Sequence, residues 1–297
     1  MGVNISVPMR DEETKERLSG QWSRALTDEE VDTRLVLLTE GLDDPLDLDY
    51  AVASRVTLAA LEFTAGKRIS LHAGAVSDDA GRALAVVCGS GGGKTTAIEA
   101  LAANYGYVSD ETVSLDLDGV SIHPHPKPLS ICIPDEPVDG AAVEPLNTTK
   151  KRQKRSVSPD ELNLGATPDT ARLRRLVLLR RDGTNTGLAP ITTPEAIVEI
   201  VPQTSSLVML ENPMLTLANT IDACGGAFAL HYSEIADHLD TLDELLASDL
   251  PAAPEPVHHP YVAGRSPVGA EWARREWSDA VQYDDQVVVL AGTNAHL

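Results

Sequence analysis

The sequence predicts an α/β fold: a mixed central sheet with flanking helices and a terminal β-hairpin. Three observations point there. Short β-rich segments alternate with amphipathic helical stretches over most of the chain. A glycine run, "CGSGGGKTT" from Cys88 to Thr96, stands between a β-rich segment and a good helix former. Alternating apolar residues around Asp118-Gly119 read as a hairpin.

Taken in order, "DEETKERLSGQWSRAL" places Leu18, Trp22 and Ala25 at helical spacing, and "TRLVLLT" reads as a strand. A helix is expected from Tyr50, with Val52, Val56, Ala59 and Phe63 on one face and Gly66-Lys67 as its stop. "ISLHAGAV" and "ALAVVC" read as strands joined by the turn "SDDAGR". After the glycine run, "KTTAIEALAANYG" reads as a helix closed by Gly106. Val113, Leu115 and Leu117 alternate, Asp118-Gly119 turns, and Val120 and Ile122 return. "PKPLSICIP" is extended and bounded by prolines. Residues 135–170 read as a long loop with a short helix near "SPDELNL". "RRLVLLRR" reads as a buried strand with basic ends, two or three helices are expected between Thr193 and Cys224, and "AFALHY" reads as a strand. Ser233 is the expected N-cap of a helix carrying Ile235, Leu239, Leu242 and Leu246. "PAAPEPVHHP" is a proline-rich linker, and the segment from Ser278 reads as the terminal hairpin. The division this implies is an N-terminal α/β extension over 1–66, a central α/β domain over 67–250 that contains the glycine run, and a linker with hairpin over 251–297.

Composition narrows the function classes. The chain has 297 residues, is 42% hydrophobic and carries a formal net charge of -21. That charge argues against nucleic acid or an anionic membrane as general partner. No apolar run approaches the roughly 18 residues that cross a bilayer, and the N-terminus lacks a secretory pattern. "MGVNIS" fits the loose myristoylation pattern, but such short motifs recur by chance, so no lipid anchor is expected. Three cysteines, Cys88, Cys132 and Cys224, form no Cys-x-x-Cys pair, which suits a reducing cytoplasm. His123 with His125, and His258 with His259, lack ligand partners at metal spacing and read as packing or surface residues.

The glycine run has a chemical reading. Glycines let backbone wrap phosphate oxygens without Cβ clashes. The amides of Gly89, Ser90, Gly91, Gly92 and Gly93 then form an anion nest, and the following helix adds its positive end. Lys94 reaches the terminal phosphates, and Thr95, followed by Thr96, places a hydroxyl on Mg²⁺. The strict phosphate-loop pattern G-x-x-x-x-G-K-[ST] is met at Gly93, Lys94 and Thr95, while Cys88 replaces its first glycine. Cys88 reads as a small buried filler; a reactive thiol is the alternative.

"SLHAGAV" upstream, the glycine run, "YVSDETVSLD" downstream and then "HPKPLS" follow one another in an order that resembles the C-terminal domain of HPr kinase/phosphorylase and its wider group of HPr-kinase-like proteins, related in fold to phosphoenolpyruvate carboxykinase. The resemblance covers residues 68–133 well and extends loosely to about residue 247. It implies a P-loop kinase fold, with ATP and Mg²⁺ as nucleotide and metal and a hydroxyl-bearing peptide, protein or small molecule as acceptor. By the same resemblance His72 lies near the γ-phosphate, Asp110 is the general base, and Glu111 supports the metal with Asp110 and Thr95. The family pair is Asp-Asp where this chain has Asp110-Glu111, and the downstream phosphorolysis signature has no counterpart here. The N-terminal 65 residues do not look like the family's regulatory domain. HPr itself is therefore not the expected acceptor. The resemblance leaves a homo-oligomer open, and a nucleotide-gated regulatory protein with little phosphotransfer stands as the alternative to a kinase.

One charge block stands apart. "KKRQKR" puts five of the 24 basic residues, Lys150, Lys151, Arg152, Lys154 and Arg155, within six positions. It reads either as a solvated loop or as a loop that meets phosphates or an acidic acceptor.

Overall fold

The computed structural model describes residues 1–35, 42, 44–133, 154–183, 186–249, 280–283 and 286–289. The chain opens with β1 (Ile5–Ser6), α1 (Glu12–Gln21), β2 (Thr33–Arg34) and α2 (Pro45–Thr64). The Asp11 side chain caps α1 by accepting from the Thr14 amide at 2.7 Å. α2 begins five residues before the expected Tyr50. Asp44 accepts from the Leu46 amide, and Pro45 sits at the first helical position, where a missing N–H costs nothing. Leu48, Val52, Val56 and Ala60 form its buried face; Phe63 is exposed beneath the Lys67 ammonium instead.

The strands and helices that follow are β3 (Ile69–Leu71), β4 (Ala73–Ser77), β5 (Arg82–Val87), α3 (Lys94–Leu101), β6 (Gly106–Ser109), β7 (Val113–Leu115), β8 (Ser121–His123), β9 (Leu129–Cys132), β10 (Lys154–Val157), β11 (Ala171–Arg180), β12 (Gly187–Ile191), α4 (Thr193–Ile200), β13 (Thr204–Ser205), α5 (Pro213–Ala223), β14 (Ala227–His231), α6 (Leu239–Ala247), β15 (Ala280–Tyr283) and β16 (Gln286–Val289). Further local expectations change. Gly106 opens β6 rather than closing α3. The hairpin of β7 and β8 turns through residues 117–120, which leaves Leu117 exposed in the loop. Residues 158–164 form turns, with Asn163 at φ 54, where a short helix was expected. A 3-10 turn over Ile235–His238 precedes α6, so Ser233 does not cap it.

One mixed sheet organises the described residues. One path through it runs β12-β14-β11-β5-β4-β6. β14, β11 and β5 are parallel, whereas β4 is antiparallel to both β5 and β6. β6 therefore runs in the same direction as β5. β11 pairs β5 along one edge; its other edge is shared between β8 at its start and β14 at its end. β8, β7, β3 and β13 continue the sheet from there.

Both faces of the sheet are covered. α4 and α5 pack through Ile197, Ile200, Leu217 and Ile221 on one face, and α3 and α6 through Ile98, Leu101, Leu242 and Leu246 on the other. β5 alternates accordingly: Ala83, Ala85 and Val87 face the first layer, Leu84 and Val86 the second. A strand buried on both faces reads as a continuous apolar run, which is why "ALAVVC" shows no polar alternation. α3 lies close to β4 because Gly74 carries no side chain; a Cβ there would overlap Ile98. Leu18, Leu35, Leu48, Val52 and Val56 form a separate cluster in the N-terminal segments. Among the described residues no helix is long and apolar enough to cross a membrane.

Candidate functional site

The glycine loop leaves the end of β5 and enters α3 at Lys94. Gly91 and Gly93 take φ of 78° and 94°, a region that a side chain disfavours. The Tyr232 hydroxyl, delivered by the end of β14, donates to the Gly92 carbonyl at 2.6 Å and pins the loop. Gly89, Ser90 and Gly91 form an exposed outer lip. Cys88 is buried behind it, and burial raises its thiol pKa, so the sulfur fills space as a neutral thiol.

Lys94 is buried at the helix start, where its ammonium donates to the Cys88 carbonyl at 2.6 Å. Burial lowers its pKa, and Cys88, Glu111 and Asp110 oppose the shift. The Thr95 hydroxyl donates to Asp110 Oδ2 at 3.3 Å. Thr96, one residue further, is exposed.

Asp110 and Glu111 arrive from the second flank. β6 runs parallel to β5 with β4 between them, so its C-terminal end reaches the same sheet edge as the glycine loop. The Ser109 hydroxyl accepts from the amides of Glu111 and Thr112 and fixes the turn. Asp110 is 3% exposed and Glu111 43%. Lys127 lies between them, 3.1 Å from Asp110 Oδ1 and 3.1 Å from Glu111 Oε2, and is itself 3% exposed. Burial alone would lower the Lys127 pKa; Asp110 and then Glu111 outweigh it, and the net shift is upward. The fully buried Tyr107 hydroxyl stands 3.2 Å from Asp110 Oδ1 and 3.1 Å from the Lys127 carbonyl.

His72 interrupts the segment expected to be one strand: it separates β3 from β4, and its amide donates to the Gln203 carbonyl. Its Nδ1 is 3.1 Å from the Glu111 carbonyl. A carbonyl only accepts, so Nδ1 carries the hydrogen and Nε2 is left as an acceptor. Burial first, and the Lys94 charge second, lower the His72 pKa and favour that neutral ring.

His72, Lys94, Thr95, Asp110 and Glu111 thus gather at one sheet edge. The arrangement puts a buried cation, the oxygens of Thr95 and Asp110 and a neutral imidazole beside a glycine-lined helix start, a set suited to anions. Among the described residues no group of three or more His, Cys, Asp and Glu forms a metal-binding cluster. Lys127, Tyr107 and Tyr232 carry site contacts that the sequence did not assign. The one local signal for Lys127 is its position between two prolines in "HPKPLS".

Lys150, Lys151 and Arg152 lie outside the described residues. Lys154 and Arg155 begin β10, which pairs with β9, and Arg155 meets Glu161 at 2.9 Å on the surface. His258 and His259 are also outside the described residues. His123 pairs with Asp116, while His125 is buried against Thr57. A cavity of about 610 Å³ lies among Leu18, Trp22, Val52, Val56, His125 and Thr167, and no residue of the glycine loop lines it. No protein-family model matches the chain, and no curated protein does.

Proposed function

We propose that the chain binds ATP with Mg²⁺ at the Cys88–Thr96 loop and transfers a phosphoryl group to a hydroxyl of a peptide, protein or small molecule, as an HPr-kinase-like enzyme distinct from those acting on HPr. The observation that carries this reading is the meeting of Asp110 with Thr95, 3.3 Å apart, at the start of the helix that the glycine loop feeds. A flexible glycine linker has no need of a buried carboxylate there. Thr95 and Asp110 are the residues to hold the metal, with Glu111 beside them; bound Mg²⁺ neutralises phosphate charge. The loop amides and the N-terminal end of α3 favour the phosphates, and Lys94 turns from the Cys88 carbonyl toward them. Asp110 accepts the proton of the acceptor hydroxyl, and neutral His72 offers Nε2 as a second acceptor nearby.

The test is calorimetry with MgATP, followed by mass spectrometry of hydroxyl-bearing candidates incubated with it. Lys94→Ala is expected to weaken MgATP binding and abolish transfer while leaving the fold intact. Asp110→Asn is expected to keep binding of ATP through the loop while losing the Mg²⁺ contribution to it, and to lose transfer by on the order of 10²- to 10⁴-fold. Native binding and turnover in both variants would sink the reading.

A second reading, nucleotide-gated regulation without transfer, draws support from two observations. Lys127 already neutralises both carboxylates, and Lys94 is already satisfied by a loop carbonyl. It predicts MgATP binding, a conformational response to it, and no phosphorylated product with any acceptor.

A further inference from the structure

We propose that the nucleoside half of the triphosphate lies over the ends of β11 and β14, against the Arg181–Glu234 pair; this rests on the nucleotide reading above. Around the glycine loop the sheet order is β14-β11-β5-β4-β6. The registers Leu178 with Val87 and Leu179 with Leu230 carry Arg181 and Tyr232 past the same edge as the loop. Beyond Lys94 and Thr95 of the loop and α3, the groups suited to the terminal phosphate and its acceptor stand on the other flank: His72 before β4, Asp110 and Glu111 after β6. A phosphate chain whose reactive end points to that flank leaves the loop toward β11 and β14, the sheet edge where ligands of open α/β folds enter.

The β11–β14 flank is built in contact with the loop. Tyr232 donates its hydroxyl to Gly92, and its amide takes the Arg180 carbonyl at 3.1 Å. Just after β11, the Gly183 amide donates to the Tyr232 carbonyl, which sets 181–183 against the end of β14. Arg180 is locked by Glu199 and His231, and His231 by Asp182. Arg181 is held differently. Its Nε donates to the Ser233 carbonyl at 3.0 Å and its Nη2 to Glu234 Oε1 at 3.1 Å, yet its side chain is 52% exposed and that of Glu234 is 72% exposed. A half-exposed guanidinium oriented by a backbone carbonyl and a carboxylate can serve as a stacking platform for a base. The exposed carboxylate beside it accepts ribose hydroxyls.

The experiment compares MgATP with magnesium tripolyphosphate, which has the same phosphate chain and no nucleoside. Affinities of both are measured by calorimetry for the parent, Arg181→Ala and Lys94→Ala. Arg181→Ala is expected to weaken MgATP about tenfold, the size of one lost cation–π contact, and to leave tripolyphosphate unchanged. Lys94→Ala is expected to weaken both. If Arg181→Ala shifts both ligands equally, or neither, the placement is wrong while the phosphate loop stands. If the parent binds neither ligand, the nucleotide reading itself has failed and takes the placement with it. Photolabelling of the parent with 8-azido-ATP reads the same question without a variant. Label at 181–183 or 231–234 is expected; label confined to the 72 or 110–127 flank overturns the placement.

Discussion

Lys127 is a buried ammonium that touches two carboxylates, and its removal leaves buried Asp110 without its cation, beside a half-exposed Glu111. Removing one partner of a buried pair costs about 3–5 kcal/mol, mostly through the charge left behind. Lys127→Met is therefore expected to lower stability by about that amount in urea denaturation. Asp110→Asn placed in the same background should recover a large part of it, because the uncompensated charge is then gone. Additive losses in the double variant would show that Lys127 stabilises the fold by packing alone. Cys88 is the opposite case at the same site. Its buried, neutral thiol is expected to resist alkylation in the folded protein, and rapid labelling by iodoacetamide at pH 7.5 would contradict that.

Among the elements, β11 departs most from its reading as a plain strand. It carries a bulge between Leu173 and Arg175, so Leu173 and Leu176 face the same side layer although they are three residues apart. The bulge turns Arg175 toward α6, where it is 1% exposed. Its guanidinium donates to the carbonyls of Leu245, Ser248 and Asp249 and to the Ser248 hydroxyl, tying the end of α6 to the sheet. Leu245 belongs to the last turn of α6, whose carbonyls lack intrahelical partners, and Ser248 and Asp249 follow as the chain leaves the helix. Arg175→Met keeps much of the volume but removes the bonds to Ser248 and Asp249, while Leu245 keeps the Ser248 hydroxyl; the expected loss is about 3 kcal/mol or more, since bonds to a charged donor contribute about 1.5–3 kcal/mol each. Arg175→Lys should not restore it, because a point charge cannot replace a planar fork. Equal thermal melting of Arg175→Met and parent would overturn this account of how α6 is anchored.

Across the whole molecule, the N-terminal segments and the sheet meet at His125. Its Nε2 lies 3.1 Å from the Thr57 hydroxyl of α2, and its ring stands 6.3 Å from that of Trp22. Burial, then nearby positive charges including Lys127, hold its pKa well below the usual 6.5. Between the folded and unfolded values the unfolded chain binds a proton that the folded chain excludes. This group's stabilising contribution is thus complete above about pH 6.5 and declines as the pH falls below it, by up to about 1.4 kcal/mol per pH unit. His72, whose pKa is also lowered, acts with the same sign. Denaturation midpoints at pH 7.5, 6.5 and 5.5 are expected to fall in the parent and to flatten in His125→Gln. An unchanged slope in that variant would show that His125 does not govern the acid response.

What the sequence by itself determined is local. The strand-glycine-helix order at Arg82–Leu101 follows from an apolar run, residues free to take positive φ, and a helix former, all within one short window. The turn between β7 and β8 follows likewise from alternation and Asp118-Gly119. Where reading failed, the competing signal was often local too: Asp44-Pro45 starts α2 before its apolar periodicity is evident. The rest was decided by tertiary structure. Nothing near Gly92 announces that a hydroxyl 140 residues away will hold its carbonyl. Nothing in "HPKPLS" shows that Lys127 will sit between Asp110 and Glu111, or in "RRLVLLRR" that one arginine will cap a helix 70 residues on. Those contacts depend on strand order and register, which bring distant strand ends to one sheet edge. Order and register are set by which apolar faces bury each other across the whole chain, and no single window of sequence contains that choice.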